Sequence, residues 1–337
     1  MSLQDFFGVL IPSIETELKR QVARLDQPRT RAFHDMLTYH MGWTGEGAGP
    51  VAQGKRLRPL LVLLTCASCN ANWGSALPAA AAVELVHNFS LVHDDIQDNS
   101  DKRRGRKTVW VNWGMPLGIN AGDALFVLSN QALLDLVPAF PADIVVKAAK
   151  ILYDTCLDLT CGQYLDMSYE KRTDLTIEDY WPMVNGKTAA LLASSCVLGS
   201  LLSEADESTQ QAYFDFGHYL GLAFQLQDDL LGIWGNSTLM GKSARSDLVS
   251  GKKSLPVLYG LGKNGPFARQ WAEGPVRIDD VERLAEQLAS EGARLFTQET
   301  ADKMTDLALQ SLRMADPQNE AGAALYELAH QLLNRDA

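Results

Sequence analysis

"LVHDDIQDNSDKRRGRKTVW", residues 91–110, places three aspartates within five positions and follows them with a run of lysines and arginines. The aspartates close an apolar run, "LVHNFSLV". On a helix turning about 100° per residue, Asp94, Asp95 and Asp98 fall at about 0°, 100° and 40°, so the three carboxylates share one face. Anions held so close repel each other, and at the end of a buried helix only a cation makes the cluster tolerable. Oxygen ligands select a hard ion such as Mg2+, which takes one or two carboxylates and completes its shell with water and phosphate oxygens. Lys102, Arg103, Arg104, Arg106 and Lys107 then supply groups that suit phosphate. The stretch reads as carboxylate, metal and diphosphate in layers; the plain alternative is a helix end followed by a solvated charge run.

Outward from this stretch the pattern is helical. "ALPAAAAVELVHNFSLVHDD", "DALFVLSNQALLDLV", "IVVKAAKILYDTCLDLTCGQYLDM", "KTAALLASSCVLGSLLSE" and "VERLAEQLASEGARLFTQETADKMTDLALQSL" are rich in Ala, Leu and Met, with apolar residues recurring at three and four. No stretch alternates cleanly as a strand would. Several helices are apolar nearly all round, which implies a central element wrapped by others. The expected fold is all-α, one large helical bundle over residues 1–337 with a central cavity. Pro50 and Pro59 are read as flanking a basic loop, and "GKNGP" at 262–266 as separating the last third.

Composition bounds the partners. The 337 residues are 46% hydrophobic and carry 30 basic against 41 acidic side chains, a net charge of −11. That balance argues against non-specific binding to nucleic acid or to an anionic membrane. Five cysteines without a framework spacing, and no basic start followed by a long apolar run, suggest a cytoplasmic protein that is not integral to a membrane. Cys66 and Cys69 lie in an apolar run without a second ligand pair, so core packing is expected of them rather than a metal or redox role.

The grammar of the opening stretch recurs. Residues 221–256, "GLAFQLQDDLLGIWGNSTLMGKSARSDLVSGKKSLP", read as a second apolar helix ending in paired aspartates, then a loop carrying Lys242, Lys252 and Lys253. A further pair, Asp279 and Asp280 in "RIDDVERL", precedes an amphipathic helix and is read as capping. A third basic element, "GKRLRP" at 54–59, supplies Lys55, Arg56 and Arg58 ahead of another apolar helix. His87 lies two turns before Asp94 on nearly the same line, and Gln225 three residues before Asp228.

Taken together and in order, "GKRLRP", "LVHDDIQD", "RRG", "GKT", "FQLQDD" and "GK…D…GKKSLP" resemble the trans-isoprenyl diphosphate synthases, or polyprenyl synthetases, over residues 45–335. The resemblance implies a prenyltransferase that condenses isopentenyl diphosphate with an allylic diphosphate, uses about three Mg2+ ions per active site and works as a homodimer. It implies that Asp94 and Asp98 ligate metal with Asp95 in support, and that Asp228, with Asp229 beside it, holds another ion. Arg103, Lys187, Lys242 and Lys252 are implied as contacts of the allylic diphosphate. Lys55, Arg58, His87 and Arg104 are implied as contacts of isopentenyl diphosphate. Thr188 and Gln225 match positions lining the reacting carbons, and Asp166 a carboxylate facing the metals.

One departure stands out: the second motif ends in Gly232 where the family usually has aspartate. It raises the alternative of a weakly active or regulatory subunit of a heteromeric synthase. An HD-type phosphohydrolase, suggested by His93 and Asp94, leaves the second aspartate pair and the basic loops unexplained. A terpene cyclase lacks its own second motif here. For product length, Phe89 and Ser90, five and four positions before Asp94, resemble a geranylgeranyl (C20) pattern more than a farnesyl (C15) one. Because an ideal helix turns Phe89 away from the Asp94 face, a local helix distortion is expected there.

Overall fold

A computed structural model describes residues 1–235 and 246–333. Helices make up most of it; among the described residues the sheet consists of one two-stranded ribbon. The chain divides into two compact units. The first gathers Met1–Tyr153, Ser195–Gln210 and Asp316–Leu325, the second Asp154–Ser194, Gln211–Ala315 and the residues from Tyr326.

In the first unit, α1 (Leu3–Val22) and α2 (Arg31–His40) are followed by a single turn, α3 (Pro50–Gln53), and by α4 (Leu57–Ser68), α5 (Leu77–Gln97), α6 (Val109–Trp113) and α7 (Met115–Leu134). α5 is the hub and packs against α1, α4 and α7. Its residues Ala79 through Val86 are consecutively buried, so it is wrapped on every side, as its all-round apolar sequence predicts. α5 is also long and apolar enough to cross a membrane by those criteria, yet most of it is buried within the protein.

Two sequence expectations change in this unit. Pro59 does not stop the chain but sits in the first turn of α4, where its missing N–H costs no helical bond. Residues after α5 are not purely irregular: β1 (Lys102–Arg103) pairs with β2 (Arg106–Lys107) in a hairpin. Its two central residues, Arg104 and Gly105, both have positive φ, 52° and 76°, as a tight two-residue turn requires. Six residues gave too short a run for alternation to show.

The second unit takes the later part of α8 (Ala142–Tyr169), then α9 (Ile177–Val184) and a π-helical turn, Asn185–Ala189, leading into α10 (Ala190–Leu202). Most of α11 (Glu207–Trp234), α12 (Ser246–Ser250), α13 (Leu255–Lys263), α14 (Pro266–Trp271), α15 (Val281–Ser290), α16 (Ala293–Ala315) and the end of α17 (Asn319–Leu333) follow. One core cluster gathers Tyr180, Met183, Leu222, Leu226 and Leu258; a second gathers Ile233, Phe267, Leu284 and Leu288.

Here α11 does not end at its paired aspartates, as expected, but continues to Trp234. The apolar residues after them, Leu230, Leu231 and Ile233, are buried and carry it on. The window 281–312 divides at Gly292, φ 91°, into α15 and α16. Asp280 occupies the N-cap position of α15 without a capping hydrogen bond from its side chain. Its carboxylate instead accepts from Arg283 at 2.7 Å, one turn on.

Candidate active site

In the first unit the acidic motif sits at the C-terminal end of α5, with Asp98 as the C-cap residue and no basic residue in the last turn. Three carboxylates at the negative end of a helix dipole are unfavourable without compensation. The hairpin provides it. Arg103 Nε donates to Asp95 Oδ1 at 2.8 Å, and an Nη of the same guanidinium lies 3.6 Å from Asp94. The Asp95 side chain is only 3% exposed while that of Asp94 is 21% exposed, and Asp98 is open to solvent. Burial pushes the Asp95 carboxyl up to about 6 against the pull of Arg103. Asp95 is therefore bonded into the protein, while Asp94 and Asp98, one turn apart, are more exposed.

The "GKRLRP" element folds beside it. Arg56 is buried, with left-handed φ of 48°, and its guanidinium donates to Glu15 at 2.6 Å and Glu84 at 2.7 Å. A buried cation so paired anchors the turn, and Arg56 is structural. Lys55 projects as an exposed side chain. Arg58 Nε is buried without a hydrogen-bond partner among the described residues, a donor left over for an anion. Burial together with Arg104 lowers the Arg58 value from its ordinary one. Arg104 donates to the Ala52 carbonyl at 2.8 Å and passes over Gly54, where a Cβ would meet its guanidinium at 2.5 Å. His87 lies in the field of Arg58, Arg104, Arg103 and Arg56; burial first, then these charges, hold its ring well below the ordinary value. His87 is thus a neutral imidazole among guanidinium groups. Arg106 differs from its neighbours: its guanidinium donates to the carbonyls of Glu46, Tyr39 and Thr44 at 2.7–2.8 Å and lies over the Tyr39 ring. It braces the 39–46 loop and is not available for phosphate.

Phe89 packs on Phe126 of α7, ring centroids 5.1 Å apart, and edge-on to His93 at 5.8 Å. Ser90 Oγ donates to the His87 carbonyl at 2.8 Å. The distortion expected near Phe89 is absent: α5 is an unbroken α-helix from Leu77 to Gln97. Phe89 finds its partner on a neighbouring helix and has no need to turn toward Asp94.

The second unit repeats the division between paired aspartates. The Asp229 side chain is 1% exposed and accepts from Tyr180 Oη at 2.8 Å, Gln225 Nε2 at 2.9 Å, Lys252 Nζ at 3.3 Å and the Leu255 N–H at 3.2 Å. Its neighbour Asp228, about 100° around α11, remains half-buried. Thr188 Oγ1 donates to Gln225 Oε1 at 2.8 Å, extending a chain of bonds from Thr188 through Gln225 to Asp229. Lys187 and Thr188 belong to the π turn, an element that commonly marks functional positions. Glycine lets that turn approach α8. A Cβ on Gly162 would lie 2.2 Å from the Lys187 nitrogen, and one on Gly186 2.4 Å from the Asp158 carbonyl. The approach brings Lys187 Nζ onto the Asp166 carboxylate. Lys253, by contrast, turns to the Trp271 ring at 5.1 Å. Lys242 lies outside the described residues.

Among the described residues no three metal-ligating side chains converge. Asp94 with Asp98, and Asp228, instead offer the few hard oxygen donors that Mg2+ takes when water and phosphate complete its shell. The donor set fits that ion. Cys66 does not contribute: it is buried in α4, and burial pushes its thiol up to about 12.

Sequence reading missed three residues that organise these groups: Tyr180 and Asp247, which surround Asp229 and Lys252, and His40, held at about 3 by burial and by Arg103, Arg104 and Arg56. Asp247 alone left a trace, as the "D" between the two "GK" pairs.

Comparison with known proteins gives a consistent picture. The polyprenyl synthetase family model matches residues 49–288. A (2E,6E)-farnesyl diphosphate synthase of Mycobacterium tuberculosis is 37% identical over 340 residues, covering 98% of this chain and 92% of the relative. A geranylgeranyl diphosphate synthase of the same organism is 40% identical over 284 residues, covering 82% and 80%. The crystal structure of a polyprenyl synthetase from Streptomyces coelicolor A3(2) superposes with a TM-score of 0.86 at 34% identity, covering 96% of this chain and 97% of that one.

Proposed function

This chain belongs to the polyprenyl synthetase family and is a trans-prenyltransferase of isoprenoid biosynthesis; from that premise we propose that it is a Mg2+-dependent geranylgeranyl diphosphate synthase. The observation that carries the reading is the repeated arrangement of the aspartate pairs. In each pair the second aspartate, Asp95 or Asp229, is buried and bonded to Arg103 or Lys252, while the first, Asp94 or Asp228, is less buried.

In the first unit, Arg58, Arg104, neutral His87 and Lys55 bind isopentenyl diphosphate, and Arg103 the allylic diphosphate. In the second, Lys187 and Lys252 contribute cations for the allylic diphosphate, while Thr188 and Gln225 face the reacting carbons. Asp94 with Asp98, and Asp228, would hold Mg2+, about three ions by the family resemblance, and such ions when bound would supply charge neutralisation for a departing diphosphate. The allylic C–O bond breaks, the double bond of isopentenyl diphosphate attacks the cationic carbon, and the leaving diphosphate takes the proton released as the new double bond forms. Arginine and lysine donors fixed in advance favour the charge that develops on diphosphate. No side-chain base is required.

Phe89, packed on Phe126, and small Ser90 keep the aromatic and small pair of the geranylgeranyl pattern. This favours C20; a farnesyl product is the second reading, supported by the relative of that name. Dimethylallyl, geranyl and farnesyl diphosphates offered in turn with labelled isopentenyl diphosphate test it: C20 is the expected end product, and an end at C15 overturns it. Phe89→Ala should lengthen the product and Ser90→Phe shorten it.

The enzyme works as a homodimer in the cytoplasm. Exposed Met115, Leu117, Ile119, Val127 and Leu134 on α7 support the first statement, and free cysteines the second. Light scattering on the purified protein tests the dimer.

A further inference from the structure

Three backbone carbonyls from three different residues converge on the guanidinium of Arg106. Its Nε donates to Glu46 at 2.8 Å, one Nη to Tyr39 at 2.7 Å and the other to Thr44 at 2.7 Å. The guanidinium carbon also lies 4.0 Å from the centre of the Tyr39 ring. That ring is fixed in turn: Tyr39 Oη donates to the Lys107 carbonyl at 2.9 Å, and Trp113 packs edge-on to it. A planar fork can meet three acceptors and a ring at once, which an ammonium cannot.

Thr44 and Glu46 belong to a loop, residues 42–54, that closes on itself. The Gly49 N–H donates to the Gly42 carbonyl at 3.0 Å, and a Cβ on Gly42 would lie 2.6 Å from the carbonyl carbon of Ala52, so the two limbs touch at the neck. Glu15 of α1 pins both ends, accepting from Trp43 Nε1 at 2.5 Å and from Arg56 Nε at 2.6 Å. Lys55 stands beside Arg56, at the end of the returning limb. The body of the loop is held from the hairpin. Arg104 takes the Ala52 carbonyl on the returning limb, at 2.8 Å, and Arg106 takes the outgoing one. A Cβ on Gly45 would lie 3.2 Å from an Arg106 Nη, and one on Gly47 3.3 Å from its Cγ, so the loop is seated closely on this side chain.

We infer that Arg106 is a positioning residue for isopentenyl diphosphate: by clamping the 39–46 backbone to the hairpin, it holds the 42–54 loop so that Lys55 stays in fixed relation to Arg104. Arg106 acts through backbone and does not touch the substrate. Lys55 and Arg104 come from segments about 50 residues apart, and a loose loop brings them together for only part of the time. Apparent affinity then falls by that fraction. This deepens the proposed function and rests on its reading of Lys55 and Arg104 as contacts of isopentenyl diphosphate.

Two measurements on the full chain test it. Hydrogen exchange without substrate or metal reads the clamp itself. The amides of Trp43, Ala48 and Gly49 are bonded to the carbonyls of Thr38, Gly45 and Gly42. In Arg106→Ala they should exchange about tenfold faster, while the amides of buried α5 keep their wild-type rates. In steady-state assays Arg106→Ala should raise the KM for isopentenyl diphosphate about tenfold, with the allylic KM and kcat little changed. Arg106→Lys keeps the charge but not the fork, and should behave like Arg106→Ala in both measurements. Unchanged exchange in the loop, or equal acceleration in the loop and α5, overturns the inference. So does an equal rise in both KM values, or recovery of the isopentenyl diphosphate KM in Arg106→Lys, which would mean that the charge itself meets phosphate. If Lys55→Ala and Arg104→Ala leave that KM unchanged, the reading of those two cations falls, and the exchange rates still decide whether Arg106 clamps the loop.

Discussion

Tyr180 donates its hydroxyl to Asp229 across 2.8 Å, and neither side chain meets solvent. Burial, followed by the nearby charge of Asp229, holds the phenol far above its ordinary value, so it remains the donor of this bond. The second aspartate of the motif is therefore part of the scaffold, and the proposed function gives the chemistry to the first.

That division predicts opposite phenotypes for adjacent residues. Asp229→Ala leaves Tyr180, Gln225, Lys252 and the Leu255 N–H without their shared acceptor and should cost about 3 kcal/mol of stability. Asp228→Ala should change stability by less than about 1 kcal/mol. Chemical unfolding of both variants without substrate measures the difference; equal stabilities would remove the distinction.

The hairpin predicts a split between the two substrates. Arg103 is tied to Asp95 and Arg104 to the Ala52 carbonyl, so adjacent side chains are fixed on different partners. Arg103→Ala should raise the KM for the allylic diphosphate more than that for isopentenyl diphosphate, and Arg104→Ala the reverse, each by about tenfold for the loss of one charge-assisted contact. Equal increases in both constants for both variants would contradict the assignment.

Stability should fall on mild acidification. His40, at about 3, and His87, well below its ordinary value, stay neutral in the folded protein while the unfolded chain takes up their protons below about pH 6.5. The unfolded state then binds more protons, so the folded state loses ground as pH drops. Asp95, raised to about 6, acts in the opposite sense, because the folded state binds its proton first. Two imidazoles against one carboxyl leave a net loss. Urea midpoints measured between about pH 7.5 and 5 should decline, and His40→Asn should flatten the decline; a midpoint that does not move would refute the neutral buried histidines.

The all-α class was legible because α4 and α5 are apolar on every side, a pattern only a helix buried by other helices can use. The first acidic motif was legible because carboxylates at the end of such a helix need a cation, and the order of the motifs along the chain carried the family resemblance. Roles within each motif were not. Asp94 and Asp95 differ in exposure through the placement of Arg103, and that depends on a tight turn at Arg104 and Gly105 too short to show as a strand pattern. Arg56 and Arg106 read only as members of basic runs; that Glu15, Glu84 and the 39–46 carbonyls hold them follows from residues distant in sequence.

Turnover of the Asp94→Ala and Asp228→Ala enzymes beside the wild type, at saturating Mg2+ with isopentenyl diphosphate and an allylic primer, tests the central claim most directly. The wild type should form labelled polyprenyl diphosphate, and each variant should lose several orders of magnitude, about three or more, while unfolding at nearly the wild-type midpoint. A wild type that forms no such product, or near-normal turnover in either variant, would contradict the account.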